Sequence, residues 1–270
     1  MTPKELLLKV SGEAFTDQRG RTGKIQLEPG LAKEGIAEFE RKLGVSSLPA
    51  EIRELVEFSR GFRLPEGKIG GPPIESFEFA KGMDLKVDFT AVSKAGYDFG
   101  AGEIPCGIVL CQDNCGNSWV VDVNVKTGEW SPVFYWCHDP YVLICQARTL
   151  ADFLAELFKL YRGQESLLRS IHQEGVFKIR EPLPRKASEL RGTADPHLKE
   201  FVETLPDEFS VFDLRDRVVG SGCDWLKYGF FGDVKRHPSE LIFALGGEKR
   251  KGFLAGLFGS KPVPGSGGKD

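Results

Sequence analysis

Four residues near the middle of the chain carry side chains that bind metal ions or act as nucleophiles. They are two cysteines four residues apart, Cys111 and Cys115, and the adjacent Cys137 and His138. Zinc prefers thiolate and imidazole ligands, and its structural sites commonly contain Cys-x-x-Cys pairs. That spacing does not occur here, so the pattern favours structural thiols over a metal site, with Cys111 pointing into a sheet as a small apolar residue.

A thiol hydrolase is the other enzyme class that these residues suggest. Cys115 would be the nucleophile and His138 the base, with Asp122 or Asp139 orienting the histidine. A reactive thiol needs a lowered pKa, which a nearby cation or a helix N-terminus provides. Residues 95–125 contain neither lysine nor arginine. We therefore expect no catalytic residue and no metal site, and a cysteine- or metal-dependent enzyme ranks third among the functional hypotheses.

The same base-free window suggests a binding function. It contains four acidic residues and no compensating cation: Asp98, Glu103, Asp113 and Asp122. Where these residues are exposed, they would form a negative surface that disfavours nucleic acid and steers a basic protein partner toward it. The alternative is that the acids are scattered over different faces and only keep the loops soluble.

Two residues of this region have a structural as well as a functional interpretation. Asn117 is the fifth candidate for partner contact, although an Asn in a turn normally hydrogen-bonds the backbone. Asp122 either contacts a partner or bonds a neighbouring loop, because an acid in a half-buried strand needs a hydrogen-bonding partner. The nearby Trp119 and Trp136 are more typical of a core than of a binding site, unless one lies at a partly exposed sheet surface.

Three predicted strands position these candidates. They cover residues 104–111, 118–125 and 130–137, with polar turns between them. In the middle strand the two-residue period places Trp119 and three valines on one face and Asp122 on the other. This alternation predicts an antiparallel meander with one buried face.

Helices are predicted before and after the meander in the sequence. Apolar residues recur at three- and four-residue spacing in a helix over 149–161, in a helix that ends at Gly44, and in a helix that begins at Pro49. Downstream, Asp195 as N-cap and Pro196 at the first helical position begin another helix. Short strands are predicted later in the chain, over 209–214 and 240–245.

Three segments in this order resemble the SUKH superfamily, which includes the yeast cell-wall-synthesis-regulator domain and bacterial immunity proteins against polymorphic toxins. They are 27–62, 107–136 and 149–161, so the resemblance covers about residues 25–161. It implies a compact α+β domain that binds a protein partner and has no catalytic machinery or cofactor. The matching positions are Leu43-Gly44, Leu48-Pro49, Gly61, Asp113, Gly116-Asn117, Asp122 and the last of the three segments.

Composition and length are compatible with a folded protein that acts in the cytoplasm. The 270 residues include 36 Lys and Arg, 39 Asp and Glu and 20 Phe, with a net charge of −3. Such a chain is neither a disordered polyelectrolyte nor globally basic like many nucleic-acid-binding proteins. We expect no signal peptide and no membrane-spanning segment, and six cysteines without a secretory signal are expected to be reduced.

These observations predict an α+β fold in which flanking helices pack on the meander, with a smaller C-terminal α+β unit. We expect a SUKH-like domain over 1–180, a linker over 181–194, a unit of unknown type over 195–258 and a disordered tail over 259–270. The predicted function is protein binding by an immunity protein, and a regulatory scaffold with several partners is the alternative. The oligomeric state stays open.

Overall fold

The computed structural model describes residues 1–16, 22–64, 86–93, 107–112, 116–138, 141–162, 164–168, 184–224 and 233–246. Within these ranges the α-helices are α1 (Pro3–Ser11), α2 (Lys33–Leu43), α3 (Ala50–Phe58), α4 (Leu150–Tyr161), α5 (Ala187–Leu190) and α6 (Pro196–Glu203). The strands are β1 (Phe15–Thr16), β2 (Thr22–Gly23), β3 (Gln26–Glu28), β4 (Gly61–Arg63), β5 (Lys86–Asp88), β6 (Val92–Ser93), β7 (Gly107–Gln112), β8 (Ser118–Val123), β9 (Trp130–His138), β10 (Tyr141–Ala147), β11 (Arg185–Lys186), β12 (Ser210–Asp213), β13 (Gly222–Asp224), β14 (Asp233–Arg236) and β15 (Ile242–Gly246).

The predicted meander forms the middle of an antiparallel sheet, which in the described part of the chain has the order β13-β10-β9-β8-β7-β6. Neighbouring strands from β6 to β10 are consecutive in the sequence, as hairpins produce. The outermost strand β13 comes from the C-terminal region and pairs with β10, where Leu143 lies opposite Cys223. The α+β fold predicted from the sequence is confirmed, but its main sheet also includes a strand of the C-terminal unit.

Helices cover the first face of this sheet. Apolar residues of α1 to α4 and of alternate sheet positions form one buried cluster, in which the ring of Trp119 lies 5.0 Å from that of Tyr135 and 6.3 Å from that of Phe153. The helix ends follow the predicted signals. Gly44 ends α2 with a left-handed φ of 75°, and the Thr149 hydroxyl caps α4 by accepting from the Asp152 amide at 3.1 Å.

The second face of the sheet is also covered, so the prediction of one buried face was wrong. Every residue of β8 is buried. A second antiparallel sheet, with the order β11-β12-β15-β14, packs against this face. Val120, Phe134 and Leu143 share a buried cluster with Phe212 and Phe243 of the second sheet, and the rings of Phe134 and Phe243 meet edge to face at 6.3 Å. The molecule therefore has two sheets in contact, as in a sandwich.

The predicted linker over 181–194 is partly wrong, because ordered elements of the C-terminal unit begin inside it. Arg185–Lys186 form β11, and Ala187–Leu190 form α5. Ala187 and Leu190 are three residues apart on one helical face, and both are buried in a third cluster that includes Phe201 of α6. The two helices thus cover the outer face of the second sheet. The predicted tail over 259–270 lies outside the described residues.

Candidate partner-binding surface

Strand β8 contributes the candidate carboxylate to the face that meets the second sheet. The two-residue period directs Trp119 and Val121 toward the helices and Val120 and Asp122 toward the C-terminal unit. Asp122 lies opposite Gly107 of β7, and the pairing of β8 with β9 shifts register at Asp122 itself, between Val121 and Val123. This position places Asp122 between the two sheets.

Asp122 forms a bidentate ion pair with Arg236 of β14. The Arg236 Nη1 and Nη2 groups donate to Asp122 Oδ1 and Oδ2 at 2.5 and 2.6 Å, and the two side chains are 7% and 2% exposed. The guanidinium carbon also lies 5.5 Å from the centroid of the Phe243 ring. Parallel double hydrogen bonds of this kind fix geometry as well as charge. The pair therefore sets the orientation of the second sheet on β8.

Burial raises the pKa of the Asp122 carboxyl, and the charge and hydrogen bonds of Arg236 oppose that rise. Burial is the larger contribution, and only 2% of Asp122 is exposed to solvent. Asp122 does not contribute to an exposed negative surface, and the structure fits the internal interpretation that the sequence left open. Its hydrogen-bonding partner comes from the C-terminal unit instead of a neighbouring loop.

Further polar contacts attach the C-terminal unit beside this ion pair. Arg217 Nη1 donates to Glu129 Oε1 at 2.7 Å, and this hydrogen bond is the main reason why the pKa of Glu129 is lowered. Asn124 Nδ2 donates to the backbone carbonyl of Ser239 at 2.9 Å. Glu129 and Asn124 both belong to the β8–β9 hairpin. The hairpin is thus a second point of attachment, next to the apolar cluster.

The remaining candidates divide into one described residue and three that are not. Asn117, immediately before β8, is 2% exposed and takes part in an interaction within the chain, as expected for a turn residue. Asp98, Glu103 and Asp113 lie outside the described residues. Of the described candidates, Asn117 thus lies just before β8 and Asp122 lies within it, and both are internal.

The described thiols are buried and do not resemble reactive cysteines. Cys111, Cys137, Cys145 and Cys223 are buried, and burial raises the pKa of Cys145 to about 12. Among the described residues, no group of three or more His, Cys, Asp and Glu side chains could hold a metal ion. Of the residues considered for thiol chemistry, Cys115, Asp139 and the side chain of His138 lie outside this description.

Trp136 differs from Trp119 in its surroundings. Trp119 is buried in the core, as expected, whereas Trp136 is half-buried at the margin of the cluster between the sheets. It lies opposite Ser118 of β8 and opposite Leu143 of β10. A tryptophan at a partly exposed sheet surface is the arrangement in which a binding role is plausible.

Arg236 and Arg217 make internal ion pairs with Asp122 and Glu129 that the sequence analysis did not identify. Val234 and Arg236 alternate on one face of β14, and this alternation could have predicted a strand with an inward-facing arginine. The identity of its partner could not have been read from that pattern, because Asp122 is 114 residues away in the sequence.

The described part of the chain is an α+β domain whose central sheet is covered on both faces, with a C-terminal unit attached to it. This class of architecture fits a binding module. Residues 30–156 match the SMI1 / KNR4 family (SUKH-1). The predicted resemblance to the SUKH superfamily is therefore confirmed over this segment, and at the family level the match supports a protein-interaction or immunity-type module.

The other comparisons add no closer relative. No curated protein and no solved structure matched the chain significantly. Among the described helices, none has the length and apolar composition needed to cross a membrane.

Proposed function

We propose that this chain is a cytoplasmic, non-enzymatic immunity protein that binds a basic polymorphic toxin domain and neutralises it by occlusion. The match of residues 30–156 to the SUKH-1 family supports the protein-binding part of this proposal. The base-free window over 95–125 supports a basic partner, because it gives the family segment a stretch of uncompensated acids. That window is the observation that carries the proposal.

The structure narrows the acidic residues available for such a contact. Arg236 already neutralises Asp122 inside the protein, which leaves Asp98, Glu103 and Asp113 as the acids of this window that a partner could meet. The second face of the sheet is filled by the C-terminal unit. We therefore place the contact on the acidic segments beside β7, with the half-buried Trp136 as an apolar anchor.

A first experiment separates an immunity protein from a scaffold. If a toxin domain is encoded directly upstream of this chain, co-expression of the two should restore growth of the toxin-producing cells, and the purified proteins should form a stable 1:1 complex. A regulatory scaffold would instead bind several partners weakly and give no protection. The absence of both protection and a complex would contradict the proposal.

The acidic surface is tested on the same complex by removing three charges. The triple variant D98N/E103Q/D113N should associate about tenfold more slowly at low salt, and its association rate should depend less on ionic strength. A matched variant, E34Q/E51Q/E57Q, removes three exposed acids on α2 and α3 and should associate like the wild type. Equal kinetics for the two triple variants, measured by stopped-flow or surface plasmon resonance, would contradict the assignment.

A further inference from the structure

His237 is the internal acceptor of the turn that joins β14 to β15. Its side chain is buried, with 3% of the residue exposed. The Nδ1 atom accepts the backbone N–H groups of Ser239 at 3.2 Å and of Glu240 at 3.0 Å. A nitrogen that accepts two hydrogen bonds cannot carry a proton, so the imidazole is neutral with its proton on Nε2. Nε2 is itself buried and has no hydrogen-bonding partner within the described residues.

The same turn attaches the second sheet to the SUKH domain. The Ser239 carbonyl accepts from Asn124 Nδ2 at 2.9 Å, and the Ser239 hydroxyl lies 3.5 Å from Lys126 Nζ. Arg236, which forms the buried ion pair with Asp122, directly precedes His237. The geometry of the turn and the attachment of the C-terminal unit to the β8–β9 hairpin are therefore linked through one imidazole.

The surroundings of the imidazole disfavour its protonated form. Burial is the largest cause of the lowered pKa of His237, and the nearby His197 of α6 and Lys126 of the hairpin act in the same direction. Glu240 in the turn and Glu200 on α6 oppose them. The rings of His197 and Phe201 meet the His237 ring edge to face, with centroids at 5.5 and 5.8 Å. Arg236, the residue before His237, is itself a cation, and its charge is paired with Asp122.

We propose that His237 makes the contact between the C-terminal unit and the SUKH domain sensitive to acid. When Nδ1 is protonated, it can no longer accept from Ser239 and Glu240, and a buried cation without a partner replaces a satisfied acceptor. The turn then opens, and the bond from Asn124 to the Ser239 carbonyl is lost with it. Acidification thus loosens the second sheet at the hairpin.

The direction of this pH dependence follows from the linkage between protonation of His237 and opening of the turn. Above the ordinary histidine pKa of 6.5, His237 is neutral whether the turn is closed or open. As the pH falls below this value, the open form takes up a proton and the closed form resists it. The free energy that holds the turn closed is therefore fully present above about pH 6.5 and is lost progressively below it.

Amide hydrogen exchange on the full-length protein tests the proposal. After correction for the intrinsic pH dependence of exchange, opening at the Ser239 and Glu240 amides should increase by about tenfold or more between about pH 7.5 and pH 5. The amides of Leu154 and Phe158 in α4 should not change over this range. Unchanged protection of the turn at the lower pH would overturn the proposal.

Two variants assign the effect to one histidine. H237N keeps a side-chain acceptor that can form the same Asx-type turn but cannot titrate in this range, so its turn should lose the pH dependence. H197N removes the neighbouring, exposed histidine and should retain it. A pH dependence that disappears in H197N and persists in H237N contradicts the assignment.

A measurement on the wild type keeps the proposal testable if H237N does not fold. The ¹⁵N chemical shifts of the ring should identify the Nε2–H tautomer of His237 at about pH 7.5, and they should report a His237 pKa below the ordinary histidine value of 6.5. An Nδ1–H tautomer, or a His237 pKa above that ordinary value, would overturn the proposal.

Discussion

Asp122 and Arg236 depend on each other because both charges are buried and each neutralises the other. Removal of one member leaves the second charge in the interior without a partner. The single variants D122N and R236M should each lower the free energy of unfolding by about 3–5 kcal/mol. The double variant D122V/R236M replaces both charges with apolar groups and should recover most of this loss.

Urea unfolding of the full-length chain checks this prediction, with an exposed pair as control. Glu38 and Lys42 lie four residues apart on α2 and form a solvent-exposed ion pair at 2.8 Å. The variant E38Q should unfold at nearly the wild-type midpoint, because exposed pairs contribute little. If D122N shifts the midpoint no more than E38Q does, the buried pair does not hold the two sheets together.

At the level of single residues, the sequence predicted the strand face on which a side chain lies better than it predicted the hydrogen-bonding partner of that side chain. The alternation along β8 correctly placed Trp119 and Asp122 on opposite faces, because the period of a strand is a local property. It could not indicate that Arg236 neutralises Asp122, since a hydrogen bond across 114 residues leaves no trace in local spacing. For this reason the sequence left open whether Asp122 contacts a partner or forms a bond inside the protein.

Strand β13 is the element through which the C-terminal unit joins the main sheet, and Gly222 permits its approach. A Cβ atom at position 222 would lie 2.0 Å from the Leu143 carbonyl oxygen and 3.0 Å from the Ile144 Cα atom. The variant G222A should therefore displace β13 from β10 and cost about 1–3 kcal/mol of stability. The Cys145 amide, which donates to the Ser221 carbonyl at 2.7 Å, should exchange faster.

Gly192 provides the matched control for this substitution. A Cβ atom there meets nothing within 4 Å, so G192A should change the stability by less than about 0.5 kcal/mol. Thermal unfolding and hydrogen exchange of both variants give the comparison. Equal stability of G222A and G192A would mean that the close approach of β13 to β10 does not contribute to the stability of the fold.

The elements that the sequence predicted are those with enough residues to show a period. Helix α4, with 12 residues, and strand β8, with six, each repeat their pattern several times. Strand β11 has two residues and α5 has four, so neither shows a period, and both lay in the predicted linker. Strand β13 has three residues, and its pairing with β10 is a long-range contact. Short elements held by distant partners are beyond this kind of prediction.

On the scale of the whole molecule, the C-terminal unit and the main sheet share one buried core between them. Val120, Phe134 and Leu143 are buried by residues that lie more than 60 positions further along the chain. The sequence around Val120 alternates between Ser118, Val120 and Asp122, which is typical of a solvent-facing strand surface. Because the covering sheet is formed by distant segments between residues 185 and 246, the second buried face could not be predicted locally.

Removal of the C-terminal unit should therefore expose an apolar face of the main sheet, through which truncated chains associate. A chain that ends at residue 183 would expose Val120, Phe134, Leu143 and Cys145 together, and Asp122 would lose its cation. Contiguous apolar patches of this kind drive association. We expect the truncated chain to retain its helices by circular dichroism but to elute as oligomers or aggregates by size exclusion with light scattering, whereas the full chain should be less prone to associate through this face.

The same truncation with F134T and L143T distinguishes association through the apolar face from aggregation caused by misfolding. Threonine keeps a high β-propensity while removing apolar surface, so this variant should shift toward the monomer and keep its circular dichroism spectrum. A truncated wild-type chain that remains monomeric would contradict the shared core. If the polar-faced truncation still binds the toxin partner, the contact lies on the SUKH domain, and the C-terminal unit serves to cover its second face.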